Sequence, residues 1–150
     1  MKIFLASDHA GFALKEALVP FILSLGHEIE DCGPAAFNEG DDYPVLIAVA
    51  AQQVSKQPAV RAIVVGGSGT GEAIVANRFP GVRAAVYNGA SLDTVRLSRE
   101  HNDANVLSLG ARFISVDEAH VAVKLWLDTS FSGEERHLRR IDQIEEVTRA

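Results

Sequence analysis

Four short stretches of the chain carry residues whose types and spacing could do chemistry. The first, AIVVGGSGTGEAIVANR from Ala62 to Arg78, ends an apolar run with four glycines in six residues and sets Ser68 and Glu72 among and after them. Glycines let a backbone approach a ligand closely and turn several N–H groups into one hollow, at the positive end of the helix that follows. Such a hollow suits a developing oxyanion, and a carboxylate beside it can move a proton. The plainer reading is a tight strand-to-helix turn, with Glu72 favoured in the first helical turn by the helix dipole alone.

Two better-known uses of glycine-rich loops do not fit. A phosphate-cradling P-loop, G-x-x-x-x-G-K-[ST], needs a lysine and a hydroxyl after its last glycine. Gly66 and Gly71 have the spacing, but Glu72 and Ala73 follow, and a carboxylate there repels phosphate. The dinucleotide fingerprint G-x-G-x-x-G would need glycine at position 72 or 74, where the chain has Glu72 and Ile74, and it normally follows the first strand.

The second stretch is Ser7-Asp8-His9-Ala10-Gly11, at the end of the first expected strand. Its adjacent carboxylate and imidazole can orient a sugar hydroxyl, shuttle a proton or, through protonated histidine, bind an anion; Asp8 can equally cap a helix. The third, Ser98 to Asp103 (SREHND), puts His101 and Asn102 at a helix end, where a histidine complements the dipole and an asparagine ends the helix. In the fourth, RHLRR, Arg136 and Arg140 lie one turn apart on one helix face and can grip a phosphate, or else pair with Glu134 or Glu135. Arg112 stands alone as a further cation. His9, His101 and Asp8 have no recognised metal-ligand spacing, so no metal site is expected. Cys32 has no basic neighbour in sequence to make it a nucleophile.

The elements that must position these groups alternate. Lys2 to Ala6 reads as a buried strand, and apolar residues from Phe12 to Leu25 recur at helical spacing before Gly26. A strand over Glu28 to Cys32 leads into a polar loop, after which Asp41 or Asp42 can cap a helix begun by Pro44. Then come a strand at AIVV, the glycine loop with a helix to about Asn77, and a strand from Val82 to Tyr87. Ser91 caps a helix reaching His101, Val106 to Leu109 forms a strand, and Ser115 with Glu118 has capping-box spacing for a helix to about Asp128. A charged helix from about Glu134 ends the chain. The alternation predicts a Rossmann-like α/β three-layer sandwich around a mostly parallel sheet of about five strands. Ligands in such sheets sit beyond the carboxyl ends of the strands, where strand order reverses.

At 150 residues the chain is expected to form one domain, 1–150, without disulfides, since Cys32 is the only cysteine. Twenty acidic residues against 14 basic give a net charge of -6, the wrong balance for a general nucleic-acid or membrane-surface binder. The opening MKIFLASDHAG has too short an apolar run for a signal peptide, and no stretch is long enough to span a membrane, so a cytoplasmic location is expected.

Taken together, SDHAGFALK, the Asp42–Pro44 tripeptide DYP, GGSGTGEAIVANRFPGVRAA, SREHNDANVLSLGAR and RHLRRI resemble the type B ribose-5-phosphate isomerases, in the larger family that includes galactose-6-phosphate isomerase. The resemblance covers nearly the whole chain. It implies an aldose–ketose isomerase of a sugar phosphate, acting without metal or organic cofactor as a homodimer with shared active sites; whether dimers pair into a tetramer is left open by the sequence. Asp8 and His101 resemble the groups that open the sugar ring and bind its hydroxyls. His9 and Arg112, with Arg136 and Arg140 of the partner chain, resemble the phosphate binders, and Tyr43 resembles a residue lining the same pocket. Many relatives carry a cysteine base at the position of Gly66 and a threonine at that of Ser68. The GGSGTGE form resembles a branch in which Glu72 is the base and Ser68 assists, while the N–H groups of Gly67, Ser68, Gly69 and Gly71, with Asn102, hold the oxyanion. Burial is expected to offset the helix dipole at Glu72. Other readings remain: a four- or six-carbon sugar phosphate, an unphosphorylated sugar, or a non-catalytic sugar-phosphate binding module.

Overall fold

The computed structural model describes residues 1–89 and 91–147; the last residues of the expected C-terminal helix, 148–150, lie outside them. Five strands, β1 (Lys2–Ser7), β2 (Glu28–Asp31), β3 (Arg61–Gly66), β4 (Ala84–Tyr87) and β5 (Val106–Gly110), form one sheet in the order β2-β1-β3-β5-β4. Every pairing is parallel. The intervening helices are α1 (Phe12–Ser24), α2 (Tyr43–Lys56), α3 (Thr70–Ala76), α4 (Leu92–Glu100) and α5 (Val116–Asp128), and α6 (Glu135–Val147) follows.

Alternation along the strands divides the core between two faces. Ile3, Leu5, Ile63, Val65, Leu107 and Leu109 pack under α1, α4 and α5 with the fully buried Trp126. Phe4, Ala6, Ala62, Val64 and Val106 pack under α2 and α3 on the other face. Central parallel strands are buried on both sides, so they read in sequence as continuous apolar runs.

The local signals place the helix ends. Ser115 and Glu118 form the reciprocal capping box expected of them, and the Ser91 hydroxyl accepts from the Asp93 N–H at 3.1 Å. Gly26, at φ 82°, ends α1 with Gly26 N–H donating to Leu23 and His27 N–H to Ile22, a Schellman arrangement. Two details differ from expectation. Strand β4 begins at Ala84 rather than Val82, because the Arg83 N–H is taken by the Asn105 side chain at 2.8 Å. After α4 the left-handed residue is Asp103 (φ 46°), not Asn102.

The connections give the sheet a switch point. The chain leaves β1 through α1 on one face and β3 through α3 on the other, so a crevice opens between the carboxyl ends of these adjacent strands. Among the described residues, no helix is long and apolar enough to cross a membrane.

Candidate active site

The crevice is lined by the two loops that the residue types had singled out. After β1, Asp8 is 7% exposed and its Oδ1 accepts the Gly11 N–H at 3.0 Å, so it does tie down the turn into α1, though Gly11 holds the N-cap position. After β3, the glycine loop turns through Gly69 at φ 77°, a conformation that side chains resist. Glu72 follows in the first turn of α3 at 4% exposure.

The carboxylate of Glu72 lies across the end of β3. A Cβ at Gly66 would stand 2.0 Å from its Oε1, so this placement requires glycine at 66. Burial raises the Glu72 pKa above its ordinary value, Asp8 adds to the rise, and the backbone N–H groups of Glu72 and Gly69 oppose it. Desolvation outweighs the loop dipoles, the direction expected from the sequence. The other loop residues carry neighbours. Arg112, after β5, lies over Gly67, where a Cβ would be 3.3 Å from Cζ, and the Tyr43 ring lies over Gly71, where a Cβ would be 2.8 Å from the ring. The Ser68 hydroxyl accepts the Thr70 N–H at 3.2 Å.

His9 brings in a residue that sequence had offered only as a cap. Asp41 Oδ1 accepts both the His9 N–H, at 3.0 Å, and Nδ1–H, at 2.7 Å, across 32 residues. This pair raises the His9 pKa; burial and Arg112 oppose, while the charges of Asp8 and Asp41 add to the rise. Ligand-type atoms of Asp8, His9 and Asp41 lie within 4.8 Å of one another, a grouping that spacing did not reveal. Within the trio His9 Nδ1 is already committed to Asp41, while Asp8 Oδ1 accepts the Gly11 N–H. The loop bearing Asp41 is held by the buried Lys15, whose Nζ bonds the Asp31 carboxylate and, at 3.2 Å, the Pro34 carbonyl.

The remaining predicted residues gather elsewhere. Parallel strands put the end of α4 at the amino edge of the sheet, so His101 and Asn102 lie on the opposite edge from Glu72. Four residues of strand separate the Ala62–Val106 pair from the Gly66–Gly110 pair, about 13 Å. His101 stacks on His137 of α6 with ring centres 4.3 Å apart. His137, 2% exposed, bonds the Ser132 hydroxyl through Nδ1 at 2.8 Å, and burial with the nearby cations lowers its pKa. The Asn102 carbonyl accepts from Arg83 Nε at 2.9 Å. Arg136 and Arg140 are exposed on α6, and Arg136 pairs with Glu134 at 2.8 Å. Cys32 is inert, as read: burial and the neighbouring acids push its thiol up to about 11.

Beyond its composition, this arrangement has close counterparts. Residues 3–144 match the Ribose/Galactose Isomerase family, and the chain belongs to that family. It is similar to ribose-5-phosphate isomerase B of Mycolicibacterium paratuberculosis, at 41% identity covering 99% of this chain and 92% of that protein. The Escherichia coli K12 enzyme of the same name is 36% identical over 95% and 93% of the two chains. Among solved structures, ribose-5-phosphate isomerase B of Clostridium thermocellum superposes with a TM-score of 0.93 at 41% identity, covering 99% of this chain and 98% of that one. The Mycoplasma genitalium enzyme with bound ribulose-5-phosphate gives 0.93 at 36% identity over 99% and 96%.

Proposed function

We propose that this protein interconverts ribose 5-phosphate and ribulose 5-phosphate by proton transfer through a cis-enediolate. The observation that carries the reading is the Glu72 carboxylate, buried at the strand switch point with its pKa raised and no side chain at Gly66 to compete for its place. Similarity to the Mycoplasma genitalium isomerase, which binds ribulose-5-phosphate, supports the choice of substrate.

In this mechanism Glu72 removes the proton from C2 of the opened sugar and returns it to C1, while charge gathers on O1 and O2. Loop N–H groups of Gly67, Ser68 and Gly71 stabilise that charge, the Gly69 N–H being turned to the Glu72 carboxylate, and the Ser68 hydroxyl assists. Asp8 orients a sugar hydroxyl and helps open the ring, Tyr43 walls the pocket, and His9 with Arg112 meets the phosphate. The family's more usual cysteine base at position 66 is absent, and its side chain would occupy the volume where the Glu72 carboxylate lies. No cofactor enters any step.

The residues with the remaining roles sit on the other edge of the sheet. His101, Asn102, Arg136 and Arg140 therefore act from a second copy of the chain, which brings its amino edge over this crevice. A two-fold dimer makes two such sites. Exposed apolar side chains favour that assembly: Val45 and Val49 on α2 and Ile74 on α3 beside the crevice, Leu138 on α6. The unit is one domain, 1–150, whose C-terminal helix from about 134 reaches the partner, working in the cytoplasm as a dimer or paired dimers.

Conversion of ribose 5-phosphate by the purified, chelator-treated protein, beside four- and six-carbon aldose phosphates, tests the reading. Highest turnover on the five-carbon substrate is expected. Binding without turnover would make the protein a sugar-phosphate module, and turnover on another sugar alone would keep the mechanism and change the substrate.

A further inference from the structure

We infer that Asp41 is a positioning residue for the reaction: it fixes the ring of His9 and holds it as the cation that meets the anionic end of the substrate. The inference rests on the phosphate role proposed for His9, and it assigns to the loop before α2 a part that its sequence gave no sign of.

The geometry is specific. A carboxylate only accepts hydrogen bonds, so the 2.7 Å contact makes Nδ1 the donor and leaves Nε2 as the free end of the ring. The same Oδ1 accepts the His9 backbone N–H, so one oxygen sets both the ring's direction and its tautomer. The Asp41 side chain is 9% exposed while that of His9 is 28% exposed, so the imidazole opens outward and its partner is shielded from water. Shielding strengthens the pair. Oδ2 of Asp41 is buried and has no hydrogen-bond partner among the described residues, so the charge of this carboxylate falls chiefly on His9.

Two of the three charged groups facing the ring favour this role. Asp41 and Asp8 favour the imidazolium, and Arg112 is the opposing cation. Arg112 is also the group with which His9 would share a phosphate, so the dianion relieves the one repulsion in the set. The Phe37 ring meets the imidazole edge-on at 6.4 Å. Without Asp41, His9 beside an arginine would be mainly neutral near pH 7 and could donate only one hydrogen bond, from either nitrogen.

Asp41→Asn tests this, because it keeps an acceptor for both His9 N–H groups and removes only the charge. In the wild-type protein the His9 ring, followed by NMR, should titrate above 6.5 without any ligand, and in the variant the midpoint should fall. Inhibition by inorganic phosphate at pH 7 should weaken about tenfold, as expected for the loss of one charge-assisted hydrogen bond. The KM for ribose 5-phosphate should rise by a similar factor, with kcat carrying little of the effect. A wild-type midpoint at or below 6.5 overturns the inference without recourse to any variant. So does a folded variant whose phosphate inhibition and KM are unchanged. A high wild-type midpoint that falls in the variant, in a protein that does not isomerise ribose 5-phosphate, would leave the Asp41–His9 pairing standing and remove the proposed reaction instead.

Discussion

At the carboxyl edge of the sheet, Asp8 and Glu72 are almost wholly buried and their neighbours are fixed by the chain's own turns. At the amino edge, His101 is half-buried, Arg136 and Arg140 stand in solvent, and α6 sinks only His137 into the protein. In the first region burial raises the pKa of Glu72 in the free chain. The second leaves its arginines exposed to water. The difference is one of preparation. The carboxylates proposed to handle protons are set by strands and a short helix, whereas the arginines proposed to reach the substrate from a second copy stand on an exposed helix.

The strongest way to break this comparison is to remove the base. Glu72→Gln should lower kcat by about 10²–10⁴-fold while the protein stays folded, read by turnover and by solvent deuterium entering C2 of the sugar. Gly66→Cys should approach that loss, about 10²-fold or more, because the new Cβ displaces the carboxylate by more than an ångström. A Gly66→Cys protein with full activity would show either that the carboxylate works from elsewhere or that the new thiolate has become the base, and adding Glu72→Gln to it separates the two.

Next in size is a test of how the regions meet. Mixed and refolded together, Glu72→Gln and His101→Ala chains, each inactive alone, should recover about a quarter of wild-type activity, since half the dimers carry one intact site. Absence of recovery, with mixed dimers demonstrated, would return both regions to one chain.

The smallest effect is on stability. Because the folded pKa of Glu72 is raised, the folded state binds that proton more tightly than the unfolded chain does. The contribution is therefore favourable at acid pH and is lost as pH rises from about 4.5 through the raised value. Compared with Glu72→Gln, the wild-type melting temperature should decline across that window, and the acid limb of kcat/KM should have its midpoint above 4.5.

Much of the carboxyl-edge region was legible in the chain itself. Ser91 and the Ser115–Glu118 pair marked helix starts through local chemistry, and the glycine run with Glu72 marked the loop, because a strand end, a turn and a first helical turn are settled within a dozen residues. By sequence, His101 belongs beside Asp8, whereas the parallel connection from α4 to β5 puts it on the far edge. What sequence withheld was pairing at a distance. Asp41 meets His9 across 32 residues, and His101 meets His137 from another element. Neither contact has a periodicity or a spacing, and each depends on where a loop or a terminal helix finally lies. The start of β4 was missed for a related reason: a side-chain amide, not a ladder partner, takes the Arg83 N–H.

The crowding between Gly66 and Glu72 has a consequence for how such a site can change over generations. The space beside the end of β3 holds one working side chain, either rooted in the strand or reaching back from the helix. A substitution that roots a side chain at 66 therefore constrains position 72 in the same step, because the carboxylate must swing aside to admit it. The two positions are coupled, and the first cannot drift without changing where the second one points.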